Sequence, residues 1–301
     1  MTSDPSVLLF FIDGLGIGVR GPHNPLHNLP DAAPLAVFQD EAPDSYLDGI
    51  VVPTDPCLGV PGRPQSASGQ TTILTGVNAP GLLGYHKQGF PNKPLLEIIE
   101  AHSIFRQLRE AGVAPVTFAN AYTSRFFAER PRWVSATTAA VEAAGLPFRT
   151  VADLKQGAAV FMDFTNRILR ERGEDVAELS EQEAATVLAR LAHDHRFTLY
   201  EFFLTDKAGH AQDMSLSQTI LTRLSLFIRE LLNKLDLTRT TVILTSDHGN
   251  IEDLASRNHT LHAVPTIVWG AQRERIAAQI KTLADITPTI VALLTNQVQT
   301  R

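Results

Sequence analysis

The residues best placed to do chemistry stand where an apolar run stops. Thr241-Val242-Ile243-Leu244 is β-branched and apolar without polar alternation, and it gives way to Thr245-Ser246-Asp247-His248-Gly249-Asn250. Such a run reads as a strand buried on both faces of a parallel sheet. Open α/β sheets bind ligands outside the carboxyl ends of their strands, so Asp247 and His248 emerge at the position of a site. Two further runs end alike. Val7 to Ile12 leads to Asp13-Gly14-Leu15-Gly16, and Phe197 to Leu204 leads to Thr205-Asp206-Lys207-Ala208-Gly209-His210. A later loop adds His259 or His262. Carboxylates gathered at one sheet edge repel one another and resist ionisation unless cations sit between them. Cys57 is the single cysteine, so the pattern points to divalent metals held by oxygen and imidazole; Mn or Zn suit these donors, and Mg suits them if waters complete the shell.

A place for an anion is available as well. Gln65-Ser66-Ala67-Ser68-Gly69-Gln70-Thr71-Thr72-Ile73-Leu74-Thr75-Gly76 is a hydroxyl-rich segment that should open a helix, capped by Ser66 or Ser68, with its free N–H groups and dipole favouring an anion such as phosphate. The glycines at 14, 16 and 18 do not make a dinucleotide site, because the chain after them is a Pro/Asn/His-rich loop and not a helix.

The elements that must carry these residues follow a βα rhythm. Strands are expected over 7–12, 50–52, 114–119, 197–204, 241–244 and 266–269, and helices from 66, over 95–111, 180–193 and 216–235, and from about 288. Ser180 and Glu183 form a capping box. Between 122 and 179 the rhythm breaks into short apolar patches and a mixed segment, 157–172, that reads as one helix. The expected division is a core of 1–121 and 180–301 with a small inserted cap, 122–179. With 301 residues and 44% hydrophobic content there is enough material for a full core. The formal charge of -6, without a local basic cluster, argues against nucleic acid as a partner. The first residues lack a basic leader, and 7–12 is too short to span a membrane, so a cytoplasmic protein is expected, without a membrane partner.

The set FIDGLGIG, SASGQTTILTG, TDKAGH, TSDHGN and HTLHAVP, in this order, resembles the alkaline phosphatase-like metalloenzyme superfamily, and within it the cofactor-independent phosphoglycerate mutase and phosphopentomutase branch. The resemblance covers roughly 7–119 and 180–292. It implies an α/β three-layer sandwich with a mostly parallel central sheet. It implies Ser66, ten residues before Gly76, as the catalytic nucleophile, with Ser68, Thr71 and Thr72 as helix caps or phosphate contacts. It assigns Asp206, His210 and His259 to one metal ion, and Asp13, Asp247, His248 and Ser66 to the other. His259 is preferred over His262 because it stands six residues before Pro265. Gln70 is a departure, since the mutases have His there, and the cap is shorter than theirs. The implied activity is phosphoryl transfer from a small phosphorylated metabolite through a phosphoserine, with hydrolysis favoured over a mutase outcome and a phosphodiesterase further off. The reading from another class is a non-catalytic protein that binds metal or phosphoester. A sulfatase is excluded, because Ser66 lacks the C/S-x-P-x-R context.

Overall fold

The computed structural model describes residues 4–27, 29, 34–41 and 46–295. Its strands are β1 (Ser6–Ile12), β2 (Ile50–Thr54), β3 (Val116–Phe118), β4 (Ala121–Tyr122), β5 (Arg149–Thr150), β6 (Phe197–Phe202), β7 (Thr240–Ser246) and β8 (Val264–Trp269). Its helices are α1 (Ser66–Thr75), α2 (Ala79–Leu83), α3 (Lys93–His102), α4 (Ile104–Glu110), α5 (Ser124–Ala128), α6 (Ala136–Ala143), α7 (Val151–Lys155), α8 (Arg167–Glu171), α9 (Glu181–Asp194), α10 (Leu204–Ala211), α11 (Met214–Lys234), α12 (Arg273–Ala277) and α13 (Ile286–Leu294). No helix among the described residues is long and apolar enough to cross a membrane.

The apolar runs without polar alternation become the middle of a six-stranded sheet in the order β2-β8-β7-β1-β6-β3. Every residue of β1, β6 and β7 is buried. Strand β1 lies parallel to both neighbours, with Leu9 opposite Leu199 on β6 and Ile243 on β7. The alternation of side chains along β1 feeds two cores, as a strand covered on both faces requires. Leu8, Phe10 and Ile12 pack with Leu188 of α9 and with Leu224, Phe227 and Leu231 of α11. Val7, Leu9 and Phe11 pack with Ile73 of α1, Phe105 of α4, Val141 of α6 and Ile290 of α13. The result is a helix–sheet–helix sandwich with a mostly parallel sheet. Strand β8 runs antiparallel to β7 and to β2.

Several boundaries differ from the sequence reading. The helix expected over 95–111 is two helices, because Ser103 is extended (φ -48, ψ 132) and its buried hydroxyl donates to Ala140 O at 2.8 Å. The segment 157–172 is helical only at its end. Phe164 and Asn166 adopt φ of 47 and 66, and the Asp163 carboxylate accepts from Asn166 N (3.0 Å) and Ile168 N (2.7 Å), fixing a turn there. The 122–179 segment adds no strand to the six-stranded sheet; β5 pairs with β4 in a sheet of two. Its α6 nevertheless packs in the same core as α3 and α4.

Candidate metal centre

Three connections bring the donors to one edge of the sheet. Strand β1 ends at Ile12, so Asp13 begins the turn above it, and β7 ends at Ser246, directly before Asp247 and His248. Asp206 and His210 are not at a strand terminus as the sequence suggested. Strand β6 stops at Phe202 and α10 starts at Leu204, which places the two residues one helical turn apart on the same face. Ser66 is the first residue of α1. The cap is Gln65, not a serine, and its side chain makes no cap hydrogen bond.

Around His248 Nε2 lie Ser66 Oγ at 3.0 Å, Asp13 Oδ1 at 3.3 Å and Asp247 Oδ2 at 3.5 Å. Around Asp206 lie His210 Nε2 (3.4 Å from Oδ2) and His259 Nε2 (3.5 Å from Oδ1), with the two imidazole nitrogens 3.3 Å apart. The His248 and His259 rings stack at 3.6 Å, so the two groups adjoin. His262 is elsewhere, bonded through Nδ1 to Glu252 Oε1 at 3.0 Å.

The chemistry of these atoms fits divalent cations. His259 Nδ1 is 2.8 Å from Pro64 O and His210 Nδ1 is 2.6 Å from Arg257 O. A carbonyl only accepts, so each Nδ1 carries the proton and each Nε2 turns towards Asp206, the orientation that metal-binding imidazoles take. Asp13 Oδ1 is buried with no hydrogen-bond partner among the described residues. Burial, then repulsion by Asp247, Asp206 and Glu201, raises the Asp13 pKa well above the ordinary range. Burial and then Asp206 push Asp247 up to about 8. Burial and then His259 push His248 down to about 3. Burial also works to raise Asp206, but its hydrogen bond to His259 and the attraction of His248 carry it below the usual carboxylate range. A protein that crowds acids whose charge it disfavours has a place for positive charge.

Side chains that the sequence reading passed over complete the site. Gln70 Nε2 donates to Asp13 Oδ2 and to Asp247 Oδ2, both at 3.2 Å, and so bridges the carboxylates. Asn250 Nδ2 donates to Asp206 Oδ1 at 2.7 Å. Gln70 stood out in the sequence only as a departure, and Asn250 only as a turn residue. The other hydroxyls of α1 turn away from the cluster. Thr71 Oγ1 donates to Ala67 O (2.6 Å), Thr72 Oγ1 to Ser68 O (2.9 Å) and Ser68 Oγ to Gln65 O (3.2 Å). Ser68 N donates to Lys87 O at 3.3 Å, which removes one of the amides expected to face an anion.

A cavity of about 490 Å³ opens over Ser66, Asp13 and Asp206. Phe118, Tyr122 and Phe203 give it apolar walls, and Lys207 and Arg172 add positive charge. Glu201, a buried residue of its lining, is pushed up to about 7 by desolvation.

Residues 171–297 match the family model described as Metalloenzyme superfamily. A 96-residue stretch is 29% identical to a 2,3-bisphosphoglycerate-independent phosphoglycerate mutase of Ehrlichia canis (strain Jake), covering 30% of this chain and 19% of that one. The whole chain resembles the PH0037 protein of Pyrococcus horikoshii (TM-score 0.60, 17% identity, 100% and 99% of the two chains covered). It also resembles a cold-active alkaline phosphatase of a psychrophilic Shewanella species (TM-score 0.51, 12% identity, 96% and 99% covered). The chain has the alkaline phosphatase-like fold, and over residues 171–297 it matches the Metalloenzyme superfamily, the resemblance already legible in its motifs.

Proposed function

We propose that this chain is a binuclear metal-dependent phosphatase that removes the phosphoryl group of a small phosphomonoester through a phosphoserine at Ser66. The observation that carries this reading is the place of Ser66 Oγ, 3.0 Å from His248 Nε2, where Asp13 and Asp247 converge, with Ser66 and Asp13 themselves lining the cavity. Asp206, His210 and His259 would hold one ion, and Asp13, Asp247, His248 and Ser66 the other. Bound there, two divalent ions would lower the pKa of the serine hydroxyl and offset charge on a phosphoryl group. The chain's own residues supply the remainder. Gln70 keeps Asp13 and Asp247 together, and Asn250 fixes Asp206. Lys207, whose ammonium lies 4.7 Å from the Phe203 ring centroid, and Arg172 line the cavity and attract a phosphate dianion. Ser66 Oγ forms a bond to phosphorus as the bond to the leaving alcohol breaks. Water then takes the phosphoryl group, releasing inorganic phosphate and restoring the hydroxyl.

Intramolecular transfer to a second hydroxyl of the substrate is the second reading, and the match to the Ehrlichia mutase favours it. The test is a set of phosphorylated metabolites incubated with the Mn-loaded protein in ¹⁸O-labelled water. Hydrolysis puts the label into inorganic phosphate, whereas a mutase yields an isomer without label. Turnover without an acid-stable phosphate on Ser66 would exclude both covalent routes. Metal content tests the centre itself: we expect two ions per chain, with Asp206→Asn or His259→Ala emptying mainly one site and Asp13→Asn or Asp247→Asn mainly the other.

A further inference from the structure

One buried carboxylate that is not among the seven donors is bonded to every loop that carries an aspartate or histidine from outside α10. The side chain of Glu252 is 0% exposed. Its Oε2 accepts from Gly16 N at 2.9 Å and Asn250 N at 2.7 Å. Its Oε1 accepts from Thr260 Oγ1 at 2.5 Å and His262 Nδ1 at 3.0 Å. Gly16 belongs to the turn after β1, which holds Asp13. Asn250 belongs to the turn after β7, which holds Asp247 and His248. Thr260 and His262 follow His259 in the connection to β8. Space has been cleared for this arrangement: a side-chain carbon at Gly16 or at Gly249 would overlap Glu252 Oε1. The absence of a side chain at Gly249 thus gives the carboxylate its clearance. A buried carboxylate is expensive unless its lone pairs are met, and here four donors meet them. The hydrogen bond to Glu252 also raises the pKa of the His262 imidazole.

We propose that Glu252 is a positioning residue for the metal centre, clasping the loops of Asp13, of Asp247 and His248, and of His259 in the register at which their donor atoms meet. It touches neither substrate nor ion and acts through the backbone of the loops it joins. The inference rests on the proposed metal centre and is independent of which phosphoester is cleaved. Partners that orient metal ligands from behind typically govern affinity by about 10- to 100-fold when they are changed. Glu252→Ala removes all four acceptor contacts. Glu252→Gln keeps an oxygen for Gly16 and Asn250, while its amide faces a hydroxyl and an imidazole that can reorient to accept.

The experiment is calorimetric titration of the full chain, stripped of metal, with Mn, on samples whose circular dichroism shows the folded state. The expected result is a loss of Mn affinity of about 10- to 100-fold for Glu252→Ala and a smaller loss for Glu252→Gln, with turnover in both rising towards the wild-type rate as Mn is raised to saturation. Rescue by excess metal separates positioning from a general loss of stability, which added Mn at fixed folded fraction would not repair. If Glu252→Ala does not fold, Glu252→Gln carries the test. Wild-type Mn affinity in a folded Glu252 variant would overturn the positioning role while leaving the metal centre intact. Failure of the wild type to take up Mn would overturn the metal centre and this inference together. A wild type that binds Mn but cleaves no phosphomonoester would refute the phosphatase reading alone, and the affinity comparison would still decide the role of Glu252.

Discussion

Ser66 is the sharpest point at the scale of single residues, because the hydroxyls nearest to it in sequence are engaged elsewhere. Ser68, Thr71 and Thr72 donate back into α1, whereas Ser66 Oγ faces the imidazole of His248. Ser66→Ala should lower kcat and kcat/KM together, by about a thousandfold or more, while most of the metal stays bound through the six other donors; single-turnover kinetics and metal analysis check it. Retention of more than about a tenth of the activity would place the nucleophile elsewhere. Glu201 offers a second test, through stability. Its folded carboxyl, ordinarily near 4.5, is pushed up to about 7 by burial. The folded chain thus holds this proton more tightly than the unfolded chain, so its contribution to stability is complete below about pH 4.5 and is lost as pH rises through about 7. In urea melts of the metal-free protein, Glu201→Gln should flatten that part of the decline; a variant with the same pH dependence as wild type would refute the assignment. The convergence of Asp13, Asp247 and His248 was legible because each follows directly on an apolar run that forms a buried strand. Gln70 and Glu252 were not, since an amide or a carboxylate declares its partners only when distant loops come together: Gly16 is more than two hundred residues from the carboxylate that binds it.

Elements were read best where a local physical rule sets them. The apolar runs gave β1, β6 and β7, and the Ser180 capping box is present: Ser180 Oγ accepts from Glu183 N at 3.2 Å, and Glu183 Oε2 accepts from Ser180 N at 2.8 Å. Ser180→Ala should cost about 1 kcal/mol of stability and leave metal content unchanged, measured by denaturant unfolding of the loaded protein. A loss of metal on this substitution would mean that α9 reaches the site in a way its packing on α11 does not suggest. Rules failed where tertiary contacts decide. Nothing in the sequence around Ser103 distinguishes a helix interior from a break until its hydroxyl meets Ala140 O across the layer. The direction of β8 was equally hidden, because a strand buried on both faces has the same apolar pattern whichever way it runs. The helical placement of Asp206 and His210 was missed for a related reason: α10 starts at Leu204 with no turn residues to mark the change.

For the molecule as a whole, the open matter is how the proposed insert, 122–179, is joined to the core. Excised in thought, it takes away parts of both hydrophobic layers. On one side of the sheet, Ala136, Ala140 and Val141 of α6 are buried with Phe105 and Leu108 of α4. On the other, Phe164 stacks on Phe227 of α11 with ring centroids 4.4 Å apart and an interplanar angle of 10°. On that same side, Tyr200 of β6 donates its hydroxyl to Phe161 O at 3.0 Å. Removing the segment would strip apolar cover from β6 and α11 together and leave the buried Tyr200 hydroxyl without its acceptor. Each truncation of a large core side chain costs about 3–5 kcal/mol, and a domain has only about 5–15 kcal/mol in total. We therefore predict that a chain with 122–179 replaced by a short Gly/Ser linker will not unfold cooperatively and will not hold two metal ions, as read by thermal melts and metal analysis. A shortened chain that melts sharply and binds both ions would show that the core is self-sufficient and the segment a detachable cap. The same packing sets an expectation for hydrogen exchange in the intact protein. Amides of α6 should be protected like those of α3 and α4, and those of α7 and α8 should exchange sooner, since their smaller cluster around Leu154, Phe161 and Leu169 lies outside both main cores. Equal protection throughout 122–179 would make the segment one cooperative unit and would support the boundaries expected from sequence.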